Sequence, residues 1–78
     1  MKKTKDLYFA AALITCGAEL DHVDKSEPRH MEFCFKSTED TELTLDEIEL
    51  QWANGTLVVG ATSYAEAIKR IKSVVHSA

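Results

Sequence analysis

Two helix-start signals in the second half of the chain limit its possible folds more than any other feature. Each is a hydroxyl residue, Thr44 or Ser63, followed three positions later by a glutamate, Glu47 or Glu66. The hydroxyl can cap a free backbone N–H group of the first helical turn, and the glutamate can reach back to the amide of the capping residue. The sequence therefore predicts two helices that begin just after Thr44 and Ser63.

Apolar residues at helical spacing predict where these two helices run. The first helix presents a stripe of Leu45, Ile48 and Trp52 and should end at Gly55. The second should extend from about residue 64 to residue 76. Its apolar stripe consists of Tyr64, Ile68, Ile71 and Val75.

A further helix is predicted near the start of the chain, from about Asp6 to Cys16. Thr4 or Lys5 would be its N-cap, and Gly17 would adopt the left-handed conformation at its end. Apolar residues lie all around this helix, so more than one of its faces needs cover. Either the last helix or a second copy of the protein can provide that cover. We expect a homo-oligomer.

The apolar run before Cys16, preceded by Lys2 and Lys3, superficially resembles a bacterial lipoprotein signal. Two residues argue against this interpretation: Thr15 is larger than the usual residue before a lipidated cysteine, and Asp6 suits the first turn of a soluble helix. The run is also too short to span a bilayer. Cysteines without a secretory context indicate reduced thiols, so we expect a cytoplasmic protein without a membrane partner.

Two strands are predicted between this N-terminal helix and the helix that begins after Thr44. Residues 18–25 fit a half-exposed strand, and residues 29–36 form the clearest strand, with Phe33 and Phe35 on the same face. The two should pair as an antiparallel hairpin, and residues 56–59 should add a brief third strand or an extended edge. The sequence thus predicts an α+β fold of order α-β-β-α-(β)-α, with a short antiparallel sheet and the helices packed on one of its faces.

Length and charge narrow the range of partners. The chain has 78 residues, which is the size of a single domain spanning residues 1–78, and its formal net charge is −4. Phosphate contacts need clustered Lys and Arg, so this charge argues against a general affinity for nucleic acid. A local basic patch is still compatible with it.

Residues at helix caps and in the predicted core resemble a family of short, uncharacterised proteins encoded in bacterial, phage and prophage genomes. The resemblance covers nearly the whole chain, and it implies a setting in which many short proteins act by binding host molecules. It carries no active site. The residues on which it rests are Lys3-Thr4-x-Asp6-x-Tyr8-x-Ala10-Ala11, Arg29-x-x-x-Phe33-x-Phe35, Trp52-x-x-Gly55-x-Leu57-x-Val59 and Tyr64-x-x-Ala67-Ile68-x-x-Ile71-Lys72.

A basic face on the last helix is the first candidate binding site. Lys69, Arg70 and Lys72 lie outside the apolar stripe and could hold an anionic ligand, with Tyr8 or Tyr64 available to stack on a base. The alternative is that these side chains form an ordinary solvated face near the C-terminal end of a helix dipole. If the ends of the chain meet, the N-terminal lysines would extend this face.

An acidic loop and a tryptophan are the candidates for a protein interface. Glu39, Asp40 and Glu42 could contact a basic partner. Trp52 is either the core anchor of its helix or an interface hot spot, and its position on the apolar stripe favours the core.

Catalytic and metal-binding constellations are not recognisable. His30, Glu32 and Cys34 alternate along one strand, and His22 could join them in a suitable hairpin register. Neighbouring side chains on one strand face lie about 7 Å apart, however, which is wide for tetrahedral zinc. No oxyanion-hole element accompanies Cys34 either. We therefore expect no catalytic residues, no metal and no cofactor, with a metal-assisted or thiol enzyme as the least favoured class.

The functional expectation is a non-catalytic binding protein of phage or prophage origin. It would bind a host protein or sequester a small anionic ligand such as a signalling nucleotide, in the manner of a host-defence inhibitor. The alternative is a DNA- or RNA-associated accessory protein that uses the basic face of the last helix.

Overall fold

The computed structural model describes residues 2–27, 29–36 and 44–76. It contains three helices and a three-stranded antiparallel sheet, which confirms the predicted small α+β fold. In chain order the elements are β1 (Lys2–Thr4), α1 (Leu7–Thr15), β2 (Leu20–Asp24), β3 (Glu32–Phe35), α2 (Leu45–Asn54) and α3 (Ala61–His76).

The strand β3 lies at the centre of the sheet, between β1 and β2. Phe33 is paired with Thr4 on β1 and Val23 on β2, so the hairpin predicted from the sequence is present. Phe33 and Phe35 are both buried and face the helices. A bulge at Asp21 interrupts the register of β2 between its first and third residues.

The third strand is not the predicted one. Residues 56–59 form no strand in the described part of the chain, and the prediction for them was wrong. Leu57 packs against the core while Val58 is 89% exposed, so this segment serves as a short extended link between α2 and α3. The third strand is instead β1, whose three residues occupy the free edge of β3 just before α1 begins.

The N-cap of α1 is Asp6 rather than Thr4 or Lys5. Its carboxylate accepts hydrogen bonds from the N–H groups of Tyr8 at 2.9 Å and Phe9 at 3.2 Å. Thr4 belongs to β1, and its hydroxyl accepts the Asp6 N–H at 3.1 Å. Two successive caps therefore turn the chain sharply from strand to helix.

The helix α1 is the centre of the molecule. All residues from 9 to 13 are buried, and the helix packs mainly on α3, with further contacts to α2 and β1. Ala10, Ala11 and Ala12 have no exposed surface, and their small side chains let neighbouring elements approach closely. Of the two sources of cover considered from the sequence, the last helix supplies it within one chain.

The boundaries of α2 agree with the prediction. The Thr44 hydroxyl accepts the Glu47 N–H at 3.2 Å, and Gly55 adopts the left-handed conformation with a φ of 70°. The start of α3 was predicted wrongly. This helix begins at Ala61, and the Gly60 carbonyl accepts the Tyr64 N–H at 2.9 Å, so Ser63 lies inside the first turn instead of capping it.

Removing the Asp6 cap should destabilise the whole domain, because α1 is its central helix. We expect Asp6→Ala to lower the free energy of unfolding by about 1 kcal/mol, measured by urea denaturation followed by circular dichroism. Asp6→Asn keeps a side-chain oxygen at the N-cap and should be close to the parent protein. Equal stability of all three proteins would contradict the capping role.

Enlarging a buried alanine of α1 should also be costly. We expect Ala10→Leu to lower the free energy of unfolding by about 1–3 kcal/mol, because the site is enclosed and the added volume forces its neighbours apart. The matched control is Ala65→Leu on the exposed face of α3, which should change stability little. Tolerance of leucine at both positions would mean that α1 is not enclosed by its own chain.

Candidate functional site

An open cleft of about 320 Å³ lies where the start of α1, the approach to β3 and the end of α3 meet. We call it the basic cleft. Its lining residues come from three separate parts of the chain and combine basic with apolar side chains. They are Lys5, Leu7, Arg29, His30, Met31, Phe33 and Val75.

The strand-to-helix turn around Asp6 positions one wall of the basic cleft. Lys5 and Leu7 flank Asp6, whose carboxylate and amide are both hydrogen bonded. Their backbone is therefore held by the same bonds that start α1. Lys5 is exposed, whereas Leu7 is half-buried and packs against the core. This places a cation at the rim and an apolar group below it.

The opposite wall is the turn that leads into β3. The His30 N–H donates to the Glu27 carbonyl at 2.9 Å, which closes the turn just before the strand. Arg29 and His30 are exposed, Met31 is half-buried and Phe33 is only 3% exposed. Over these few residues the side chains change from basic and exposed at the rim of the cleft, Arg29 and His30, to apolar and buried at its floor, Phe33.

The end of α3 closes the third side of the basic cleft. Val75 lines it and packs against the core. The Lys25 ammonium donates to the carbonyl of the preceding residue, Val74, at 3.2 Å. This bond connects the β2–β3 region to the last turn of α3, where free carbonyls attract a cation. It lies next to Val75 and adds to the packing of that side chain against the core.

The charge of the basic cleft is one-sided. Lys5, Arg29 and His30 form the rim, and none of the described residues that line the cleft is acidic. The planar guanidinium of Arg29 can bind a carboxylate or a phosphate with two parallel hydrogen bonds, and Lys5 can add a point charge. The arrangement is thus suited to holding an anion over an apolar surface.

The predicted basic face on α3 has a more mixed environment. Lys69, Arg70 and Lys72 are exposed, as expected. Arg70, however, lines one depression with Glu66 and another with Glu19, both next to α1. Nearby carboxylates reduce the attraction of this guanidinium for an anion.

The two tyrosines that were proposed to stack on a base do lie together. The Tyr64 hydroxyl donates to the backbone carbonyl of Tyr8 at 3.1 Å. Burial, with a smaller effect from the Asp6 carboxylate, raises the pKa of the Tyr64 hydroxyl, so it stays protonated and able to donate. The Tyr8 side chain is 54% exposed, whereas Tyr64 is half-buried and connects α3 to α1.

The N-terminal lysines point to three different regions and do not extend the α3 face. The Lys2 ammonium lies 2.9 Å from carboxylate oxygens of both Asp46 and Glu49 on α2. Lys3 is paired with the central strand on the polar side of the sheet, and Lys5 lines the basic cleft. The hydrogen bond from Lys2 holds the pKa of the Asp46 carboxyl below its usual range.

The structure describes only one of the two candidates for a protein interface. Glu39, Asp40 and Glu42 lie outside the described residues. Trp52 is half-buried and packs against the core, with its ring centroid 5.6 Å from that of Phe9 and the rings tilted by 40°. This geometry is that of a core anchor that joins α2 to α1.

The chemical groups considered for metal or thiol chemistry are divided between two places. His30 precedes β3 and lines the basic cleft, so its predicted position on a strand face with Glu32 and Cys34 was wrong. His22 lies opposite Cys34, and its Nδ1 is 2.6 Å from the Asp21 carboxylate. Within residues 2–27, 29–36 and 44–76, no three His, Cys, Asp or Glu residues are grouped so that they could hold a metal ion.

Both cysteines have properties of structural thiols. Cys34 is only 1% exposed and Cys16 is half-buried at the C-cap of α1. Burial raises the pKa of each thiol, most simply at Cys16, where it is the one cause. A raised pKa lowers the fraction of reactive thiolate at neutral pH.

Sequence reasoning missed the basic cleft because its basic residues are distant in the chain. Lys5 was considered as a helix cap and as an extension of the basic face of the last helix, and His30 as a strand residue and possible metal ligand. Arg29 entered only as the start of the predicted strand and in the family resemblance. The one local signal for a basic site was the Arg29-His30 pair beside a turn. Nothing in the local sequence indicates that Lys5 and Val75 lie next to this pair.

These features define a small α+β domain in which three helices cover one face of a three-stranded sheet and a basic, apolar-floored cleft opens at one end. The chain belongs to a family described as domain of unknown function (DUF5659), which it matches over residues 2–77. Comparison with curated proteins and with solved structures found no match. None of the helices in the described residues is long and apolar enough to cross a membrane.

The thiols provide a test of the enzyme alternative. At pH 8 we expect native Cys34 to react with iodoacetamide at least about tenfold more slowly than in the urea-unfolded chain, because it is enclosed and protonated. Cys16 should react at an intermediate rate. Mass spectrometry of the Cys16→Ser and Cys34→Ser proteins separates the two rates. A native Cys34 that reacts faster than the unfolded chain would instead support a nucleophilic role.

Proposed function

We propose that this protein is a non-catalytic binding domain that holds a small anionic ligand in the basic cleft. One observation carries the proposal: Lys5, Arg29 and His30 converge there from separate parts of the chain, and no described lining residue is acidic. Basic side chains grouped around one cleft attract an anion more strongly than a face that also carries carboxylates. The mixed surroundings of Arg70 make the α3 face the weaker candidate.

The biological setting that we propose follows the family resemblance. The protein would be of phage or prophage origin, would act in the cytoplasm, and would sequester a small anionic molecule in the manner of a host-defence inhibitor. A signalling nucleotide is one candidate ligand. Because residues of a single chain line the basic cleft, this function does not require an oligomer. A host protein as partner, and association with DNA or RNA through Lys69, Arg70 and Lys72, are the alternatives.

Pyrophosphate is a suitable first probe, because it presents anionic oxygens without an organic body. We expect it to shift the backbone amide resonances of residues 5–7 and 29–31 in a nuclear magnetic resonance titration. Arg29→Gln should weaken this binding about tenfold or more, since a hydrogen bond to a charged group is lost. The expected loss is larger than that for Lys5→Gln, which removes only a point charge.

Lys72→Gln is the matched control, because it removes one charge from the α3 face and leaves the basic cleft unchanged. It should bind pyrophosphate like the parent protein. Resonance shifts centred on residues 69–72, with binding lost in Lys72→Gln and kept in Arg29→Gln, would assign the anion to the α3 face. An equal loss in both variants would mean that the anion responds only to overall charge, which would also contradict the proposal. Saturable binding to duplex DNA without binding of pyrophosphate would favour the nucleic-acid alternative. An absence of shifts at all anion concentrations would refute the proposal.

A further inference from the structure

The apolar floor of the basic cleft restricts the chemical class of the ligand further than the basic rim does. Leu7, Met31, Phe33 and Val75 present apolar side chains directly beside Lys5, Arg29 and His30. Phe33 is 3% exposed, and the other three are half-buried. An inorganic anion held at the rim would leave this apolar surface in contact with water. A ligand that also covers the floor gains the free energy of removing apolar surface from water.

We propose, on the basis of the anion binding proposed above, that the ligand is a soluble amphiphilic anion. Its carboxylate or phosphate group meets Arg29 and Lys5, and an apolar group attached directly to that head covers Leu7, Phe33 and Val75. The cleft, at about 320 Å³, is at the small end of the range for ligand pockets. A short alkyl chain or one aromatic ring therefore matches it better than a long acyl chain.

A nucleotide fits this arrangement less well. Its phosphate is attached to a ribose, whose hydroxyl groups would lie over the apolar side chains of Leu7, Phe33 and Val75, and these side chains offer no hydrogen bonds. The base is separated from the phosphate by that ribose. The floor thus selects for an apolar group next to the charge.

The recessed position of the floor favours a free ligand over a membrane surface. A membrane-binding site presents protruding apolar side chains that enter the bilayer. Here Phe33 is almost fully buried, and Leu7 and Val75 pack against the domain's own core. An apolar group has to enter the cleft to reach them, which a molecule in solution can do.

A homologous series of alkyl phosphates tests the inference. Inorganic phosphate, ethyl, butyl and hexyl phosphate are titrated into the intact protein below their micelle concentrations, and dissociation constants are measured by nuclear magnetic resonance. We expect affinity to rise by up to about fourfold for each buried methylene and to level off when the floor is covered. Adenosine monophosphate should bind more weakly than butyl phosphate.

Two variants separate the floor from the rim. Val75→Thr keeps the side-chain shape but replaces one methyl group by a hydroxyl, so it should reduce the gain per methylene and leave the affinity for inorganic phosphate unchanged. Arg29→Gln should weaken all members of the series by a similar factor. Nuclear Overhauser contacts between the alkyl chain and the Phe33 ring of the parent protein provide a check that does not depend on the stability of either variant.

The outcomes distinguish this inference from the proposed function. Equal affinities for phosphate and hexyl phosphate would overturn the amphiphile inference and leave anion binding intact. No binding of any member, together with no binding of pyrophosphate, would overturn both. Binding to vesicles that contain phosphatidylglycerol, without binding to soluble hexyl phosphate, would also overturn the inference, because the anionic group would then be recognised only on a membrane.

Discussion

The structure depends on the enclosure of α1 by the rest of the chain. Its residues 9–13 are all buried, and three successive alanines leave room for α3, α2 and β1 to pack around it. A chain of this length buries only about 60% of its unfolded surface, so a helix whose middle residues are all buried is an efficient use of a small core.

The same constraint builds the basic cleft. The start of α1 follows closely on the edge strand β1, and the hydrogen bonds to the side chains of Thr4 and Asp6 hold the turn between them. Lys5 is thereby fixed beside the approach to β3. The last turn of α3, to which Lys25 is bonded, places Val75 on the remaining side. The cleft is a consequence of how three chain segments end next to the central helix.

Local sequence signals predicted the elements whose stability is itself local. Three such signals were predicted correctly, because each acts within a few residues. They are the N-cap at Thr44, the left-handed Gly55 and the alternation of Phe33 with Phe35. The edge strand β1 was not predicted. Residues 56–59 have good β-propensity but pair with no strand in the described part of the chain, whereas Lys2–Thr4 pair with β3, and edge pairing is decided by which segment reaches the neighbouring strand.

The sequence by itself determined the α+β class, the hairpin and the apolar nature of α1, since these follow from periodicity, capping and composition. Only the tertiary structure decided which of two possible partners covers α1 and which basic residues share a site. Lys5 and Arg29 line one cleft because β1 pairs antiparallel with β3, which brings the end of β1 beside the approach to β3, and this depends on contacts between distant residues. Contacts of that kind leave no pattern in the order of neighbouring amino acids.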